Sequence, residues 1–296
     1  SRDEFKQYSL KNKFKSHKHF DKIRFFLGDV RDLNRLNKAL ENVDVAIHAA
    51  ALKQVDTAEY NPSEFIQTNI IGTQNIVDAA INQNVRKVIG LSTDKASAPI
   101  NLYGATKLCA EKIILAANNV KGKKNITFSV ARYGNVTSSR GSVIPRFYEQ
   151  KKGGELQITD TRMTRFNISL QESVDFVLKC LKNSKGGEVF IPKMASYNIL
   201  NLAKALAPNM KKKIIGIRAG EKIHEELIGI NDSTNTFDLG SYYVVVNPTY
   251  NKVFQYYKSL KNSTQMKPNF TYDSLNNKNQ LKLKQTKNIL KIFNKS

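Results

Sequence analysis

The sequence predicts an α/β protein: a doubly wound parallel sheet with a smaller α/β lobe beside it. Short apolar runs alternate with helical stretches through residue 135, the pattern of repeated strand–helix–strand units. One run ends in Ser92-Thr93 and is followed by Asp94-Lys95, which puts charge at a strand's carboxyl end, where parallel sheets bind ligands. After about residue 136 strands shorten and loops lengthen, as a second lobe requires.

The strand candidates are Ile23–Leu27, Val43–His48, Lys87–Ser92 and Thr127–Arg132. Leu33–Leu40, Ser63–Asn82 and Leu102–Asn118 have helical periodicity and lie between them. Right-handed crossovers place those helices on both faces. Glu188–Ile191, Lys213–Ile217 and Tyr242–Val246 are the shorter strands of the later part. Leu275–Phe293 is Lys/Asn-rich and predicts a peripheral helix or a frayed tail.

A dinucleotide fold places G-x-G-x-x-G between its first strand and first helix, so that backbone can approach the pyrophosphate. No such motif occurs here. The first βα unit is therefore expected to be missing, and cofactor binding by the chain as it stands to be weak. Ser1-Arg2-Asp3-Glu4 reads as the loop after the second strand, which meets the adenosine ribose. An arginine there accommodates a 2′-phosphate, so Arg2 predicts NADP over NAD.

Composition narrows the class. A hydrophobic fraction of 41% supports a sizeable core. No run of 18 apolar residues occurs and no signal peptide is visible, which predicts no membrane span and a cytoplasmic protein. Cys109 and Cys180 read as two buried thiols without a disulfide. His224-Glu225-Glu226 starts like HExxH, but Ile228 replaces the second histidine, so no metal is expected. The net charge of +22 comes mostly from lysines spread along the chain, with ten lysines and one acid over 251–296. That spread argues against a nucleic-acid stripe, although a positive cleft would attract a phosphorylated substrate.

The chemistry concentrates in one stretch. Tyr103 and Lys107 are four apart and share a helix face. A lysine there stabilises a phenolate and lowers the tyrosine pKa, so that Tyr103 takes a hydroxyl proton beside a nicotinamide. Asp94 and Lys95 suit elimination: one protonates a leaving hydroxyl while the other removes a carbon-bound proton. As a base Lys95 must be neutral, which predicts a depressed pKa in the cofactor complex.

Thr93-Asp94-Lys95-Ala96 and Tyr103-Gly104-Ala105-Thr106-Lys107 resemble the soluble inverting UDP-N-acetylglucosamine 4,6-dehydratases of the extended short-chain dehydrogenase/reductase superfamily, the type that opens pseudaminic acid synthesis. The resemblance covers about residues 1–275. It includes Gly28-Asp29-Val30-Arg31-Asp32, His48-Ala49-Ala50-Ala51-Leu52-Lys53, Asn69-Ile70-Ile71-Gly72-Thr73, Arg132-Tyr133-Gly134-Asn135-Val136, Met163-Thr164-Arg165-Phe166 and Gly220-Glu221-Lys222-Ile223-His224-Glu225. It implies a Rossmann-like, NADP-binding domain at 1–135, incomplete at its N-terminus. Residues 136–275 become mainly a substrate-binding lobe with segments returning to the first domain, and 276–296 a tail.

The resemblance also implies roles. Ser1, Arg2, Asp3, Asp29, Val30 and Ala50 hold the cofactor together with Tyr103 and Lys107. Thr93 bonds the sugar 4-hydroxyl, Asp94 is the acid and Lys95 the base. Lys53, Thr93, Asn135, Val143, Thr161, Arg218 and Glu221 hold the UDP-sugar, and the guanidinium fork of Arg218 suits a diphosphate. Homo-oligomers, a hexamer in the family's pattern, would pair the helices Leu102–Asn118 and Ser63–Asn82. Asn167 and Ala219 stand where the family has tryptophan and proline, and are expected to loosen the sugar pocket or its loop.

Neighbouring families differ at the site. UDP-hexose 4-epimerases separate the Ser/Thr from the tyrosine more widely, dTDP-glucose dehydratases carry Asp-Glu in place of Asp94-Lys95, and membrane-anchored retaining dehydratases tend to have methionine in place of Tyr103. A retaining dehydratase, an epimerase and a non-catalytic dinucleotide-binding protein are the alternative readings.

Overall fold

The computed structural model describes residues 1–137, 139 and 141–293. Its main sheet has seven strands in the order Val45–His48, Lys87–Thr93, Thr127–Tyr133, Glu188–Pro192, Tyr242–Val246, Thr236–Asp238, Thr264–Gln265. The first four are parallel to one another. The other three join antiparallel.

Helices cover both faces, because successive strand residues point to opposite sides. Val88 packs with Ile76, Val77, Ile114 and Ala117 of the helices Gly72–Asn82 and Leu102–Val120. Ile89 packs on the other side with Phe176, Val177 and Cys180 of the helix Leu170–Asn183 and Tyr257 of Asn251–Ser259. Full burial on both faces explains why these strands read as continuous apolar runs.

A second core joins Ile144, Phe147, Leu156, Ile158, Met163, Tyr197 and Leu202. Around it lie the helices Val143–Lys152 and Ile199–Leu206 and the parallel pair Glu155–Ile158 and Lys211–Ile214. The expected strand at Lys213–Ile217 is thus shifted, because its register follows the earlier strand. The stretch expected to be a peripheral helix or frayed tail is instead packed. Its helix Leu283–Phe293 lies against Ile199–Leu206, with Ile289 and Leu290 buried in the second core. Residues 294–296 lie outside the described residues.

Ile23–Leu27 forms no strand. A strand needs a neighbour for its amides; here the Phe26 carbonyl accepts from the Ser1 ammonium and from Gln7 Nε2, and the Leu27 carbonyl from Arg35 Nε. Among the described residues no strand pairs with the outer edge of Val45–His48, where Val45 and Ile47 are exposed. The helix expected over Ser63–Asn82 is a continuous helical run, Pro62–Phe65 and Gly72–Asn82, with a π-turn at Ile66–Ile71 inside it. Cys109 is exposed rather than buried; Cys180 is buried, and both are free. Among the described residues no helix is long and apolar enough to cross a membrane, and no cluster of His, Cys, Asp or Glu suits a metal.

Candidate active site

The strand Lys87–Thr93 ends in a tight 3₁₀ turn, Asp94–Ala96, and the helix Leu102–Val120 starts against that turn. Asn101 caps the helix, its Oδ1 accepting from Gly104 N at 2.8 Å. Gly104 permits the close approach: a Cβ there would lie 2.3 Å from the Lys95 carbonyl oxygen. This contact brings Tyr103 to the end of the strand, where its hydroxyl faces Thr93 on the cavity wall. Lys107, one turn on, donates to the Leu91 carbonyl at 2.8 Å.

Hydrogen bonds run on from Thr93. Thr93 Oγ1 donates to Asp94 Oδ1 at 2.9 Å, and Lys95 Nζ donates to the same oxygen at 3.1 Å. Lys95 Nζ also faces Asn135 Oδ1 at 3.5 Å and Glu225 Oε1 at 3.4 Å. Three of the five residues expected to be catalytic, Thr93, Asp94 and Lys95, are thus joined in one chain, with Tyr103 facing it and Lys107 anchored beside it.

A cavity of about 430 Å³ opens over this chain between the main sheet and the second core. Thr93, Lys95, Tyr103, Lys53, Asn135, Val143, Arg218 and Glu221 all line it. Asp94 does not; it is fully buried beneath, reaching the cavity only through Thr93 and Lys95. Thr161 does not line it either: it is exposed, and its carbonyl accepts from Asn198 Nδ2. At the rim Arg218 pairs with Glu221 at 3.2 Å and Asp56 at 3.6 Å. Ala219 lines the cavity, whereas Asn167 is turned away, its Oδ1 accepting from Thr137 Oγ1.

The expected cofactor residues form a separate group. Ser1 O accepts from Gly28 N, which sets Arg2 beside Asp29 at 3.6 Å. Asp3 is spent on capping the helix Glu4–Phe14. Val30 packs under Gly72, and Ala50 is exposed just beyond the strand Val45–His48. Arg2 keeps a half-exposed guanidinium, which fits a phosphate, and Tyr103 with Lys107 fits a nicotinamide ribose. The described residues hold no glycine loop for the pyrophosphate between them.

Charge in the site is set by burial and by the groups around each residue. Burial pushes the Lys95 ammonium down, but the carboxylates of Asp94 and Glu225 outweigh burial and the net direction is up. The protein alone therefore holds Lys95 charged, not neutral. Burial likewise raises Tyr103, and the cation that opposes this is Lys95 rather than Lys107. Lys107 is pushed down to about 8 by burial against the pull of Glu111. Asp94 is raised by burial, with Lys95 opposing and Glu225 adding.

Two site residues stood inside quoted motifs without an assigned role. Glu225 is buried and lines the cavity, and Arg165 packs against it, Nε to Oε1 at 3.6 Å. Their charge was visible in the sequence; their burial against Lys95, from segments far apart in the chain, was not.

Comparison with known proteins fits this geometry. The model of a family described as "Polysaccharide biosynthesis protein" matches residues 1–247. A Campylobacter jejuni (strain 81-176) protein named UDP-N-acetylglucosamine 4,6-dehydratase (inverting) is 55% identical over 247 residues, 83% of this chain and 73% of the relative. A Rickettsia akari protein named UDP-glucose 4-epimerase is 44% identical over 248 residues, 82% of this chain and 72% of the relative. The solved structure of Pen from Bacillus thuringiensis superposes with a TM-score of 0.88 at 36% identity, covering 98% of this chain and 87% of that one.

Proposed function

The chain belongs to the polysaccharide biosynthesis protein family, and from that premise we propose that it is a hydro-lyase that dehydrates UDP-N-acetylglucosamine across C5 and C6, inverting C5, with NADP as cofactor. The product is a UDP-4-keto-6-deoxy-L-arabino-hexulose, an intermediate for a surface polysaccharide or flagellin glycan of the pseudaminic acid type. The observation that carries the reading is the bonded chain Thr93–Asp94–Lys95 on the cavity floor with Tyr103 facing it. It sets a group that oxidises a hydroxyl beside an acid–base pair that eliminates water.

When bound, the nicotinamide would supply a reversible hydride acceptor, taking hydride from C4 and giving it back at C6 after water is lost, and a positive charge near Lys95. Thr93 orients the sugar 4-hydroxyl and Tyr103 takes its proton. The 4-ketone so formed acidifies the C5 proton, which Lys95 removes. The proton of Asp94, passed through Thr93 or Lys95, leaves with the 6-hydroxyl as water. Returning a proton to C5 on the opposite face inverts it. Because the protein alone favours the Lys95 ammonium, Lys95 sheds a proton as the complex forms, with Arg165 and the cofactor's charge acting in that direction. Arg218 and Lys53 face the diphosphate, Asn135, Val143 and Glu221 the sugar nucleotide. Arg2, with Ser1, Asp29, Val30 and Ala50, takes the adenosine end. We place the working enzyme in the cytoplasm as a homo-oligomer.

An epimerase is the second reading, favoured by the Rickettsia akari relative. Epimerisation at C4 needs hydride transfer only, and would leave Asp94 and Lys95 without work. Incubation with UDP-N-acetylglucosamine and NADP⁺ in D₂O separates the two. The dehydratase yields a 4-keto-6-deoxy sugar with deuterium at C5, read by proton NMR; a C4 epimer without deuterium overturns the proposal.

A further inference from the structure

Glu225 is a buried carboxylate on the cavity wall whose work the mechanism leaves open. Its Oε1 lies 3.4 Å from Lys95 Nζ and 3.6 Å from Arg165 Nε, and its Oε2 is buried without a hydrogen-bond partner. The segment that carries it is locked. Arg165 donates to the carbonyls of Lys222 and Ile223, Lys222 Nζ donates to the Ser97 carbonyl, and Glu225 N donates to Ser274 Oγ. Glu225 is thus held against Lys95 by a network that runs through the cavity wall.

A count of charge gives it a task. Lys95 and Arg165 bring two positive charges; Glu225 and Glu221 bring two negative ones, Glu221 lying 3.4 Å from Arg165. Arg218, 3.2 Å from Glu221, balances that residue, which leaves Glu225 as the carboxylate that shares Lys95 with Asp94. Asp94 is fully buried, shares Lys95 with Glu225, and has one oxygen, Oδ2, with no partner. Adding a second carboxylate charge to one shared ammonium in a dry site is costly. The remaining charged or titratable groups around Asp94 are Tyr103, Tyr197, Lys53 and Lys222. The two tyrosines are neutral, and Lys222 acts on Glu225.

We infer that Glu225 is a positioning residue that neutralises Lys95, so that Asp94 carries a proton at neutral pH and is loaded as the acid. The inference rests on the dehydratase reading for its use, but not for its test. Burial and the charge of Glu225 both raise Asp94, while Glu225 itself is held down by Lys95 and Arg165 against burial.

The test reads the carboxyl directly, with no substrate. Protein labelled with ¹³C at the aspartate side-chain carboxyl gives an Asp94 resonance identified by its loss in Asp94→Asn. At neutral pH that resonance is expected at the shift of a protonated carboxyl. In Glu225→Gln it should move to the ionised position, because Lys95 then has only Asp94 to pair with; in Glu225→Asp it should stay protonated. An ionised Asp94 in the parent protein overturns the inference, as does a protonated Asp94 in Glu225→Gln. The parent spectrum decides on its own should Glu225→Gln fail to fold. A protein that proves to be an epimerase would leave this result untouched.

Discussion

The Tyr103 ring packs with Ala58 and Phe65, and its hydroxyl alone faces Thr93. Tyr103→Phe removes that oxygen and little packing, so the fold survives while turnover falls by a factor on the order of 10²–10⁴; circular dichroism and initial rates check both halves. Lys95→Met leaves Tyr103 and Thr93 in place. It should still permit C4 oxidation, seen as transient absorbance of the reduced cofactor, but block deuterium entry at C5 from D₂O. Exchange at the parental rate would make Lys95 an anchor for the ligand. At this scale the sequence was legible where the chemistry is contiguous. Thr93, Asp94, Lys95, Tyr103 and Lys107 fall within 15 residues, and a strand end followed by a helix brings them together. Glu225 and Arg165 reach the same site from 130 and 70 residues beyond Lys95, and no local pattern announces such a meeting.

Between elements, the approach of the helix Leu102–Val120 to the Asp94 turn decides where Tyr103 stands. Gly104→Ala would set a Cβ 2.3 Å from a backbone oxygen, which no rotamer relieves. The helix start must shift, at a cost of about 1–3 kcal/mol, and a displacement of Tyr103 approaching ~1 Å lowers turnover by up to ~10²-fold. Gly153→Ala, whose Cβ meets nothing nearer than 3.5 Å, is the control and should change neither. Thermal melts and rates of the two variants separate them. Elements were legible where burial on both faces makes an apolar run, as at Lys87–Thr93. They were not legible where a neighbour decides. Ile23–Leu27 has a strand's composition but no strand to pair with, and the π-turn at Ile66–Ile71 hides inside a pattern that reads as one helix.

For the whole molecule, buried ionisable groups tie stability to pH. His48 is buried against Thr73, and burial together with Lys107 pushes its pKa down to about 3. The unfolded chain takes that proton near its ordinary 6.5, so between the two values the unfolded state binds more protons and acid favours unfolding. The contribution is complete above about 6.5 and is lost as pH falls toward 3, at up to roughly 1.4 kcal/mol per pH unit. Urea midpoints at neutral pH and a unit or so below 6.5 should fall less in His48→Gln than in the parent. Assembly belongs to the same scale. The helix Leu102–Val120 and the segment Pro62–Asn82 leave Ile66, Ile71 and Cys109 exposed, which suits the pairing expected of them. Multi-angle light scattering should report a homo-oligomer, and a monomer at all concentrations would count against it.

The bare edge of Val45–His48 has a consequence in the storage tube. Its free amides and carbonyls, with Val45 and Ile47 exposed on the same strand, form a template that a like edge can complete. The net charge of +22 opposes such a meeting by repulsion. At about 0.1 M ionic strength that repulsion reaches only ~10 Å. Salt, often added to keep a protein dissolved, would therefore bring these edges within reach, and turbidity should grow with ionic strength and concentration before it grows with heat.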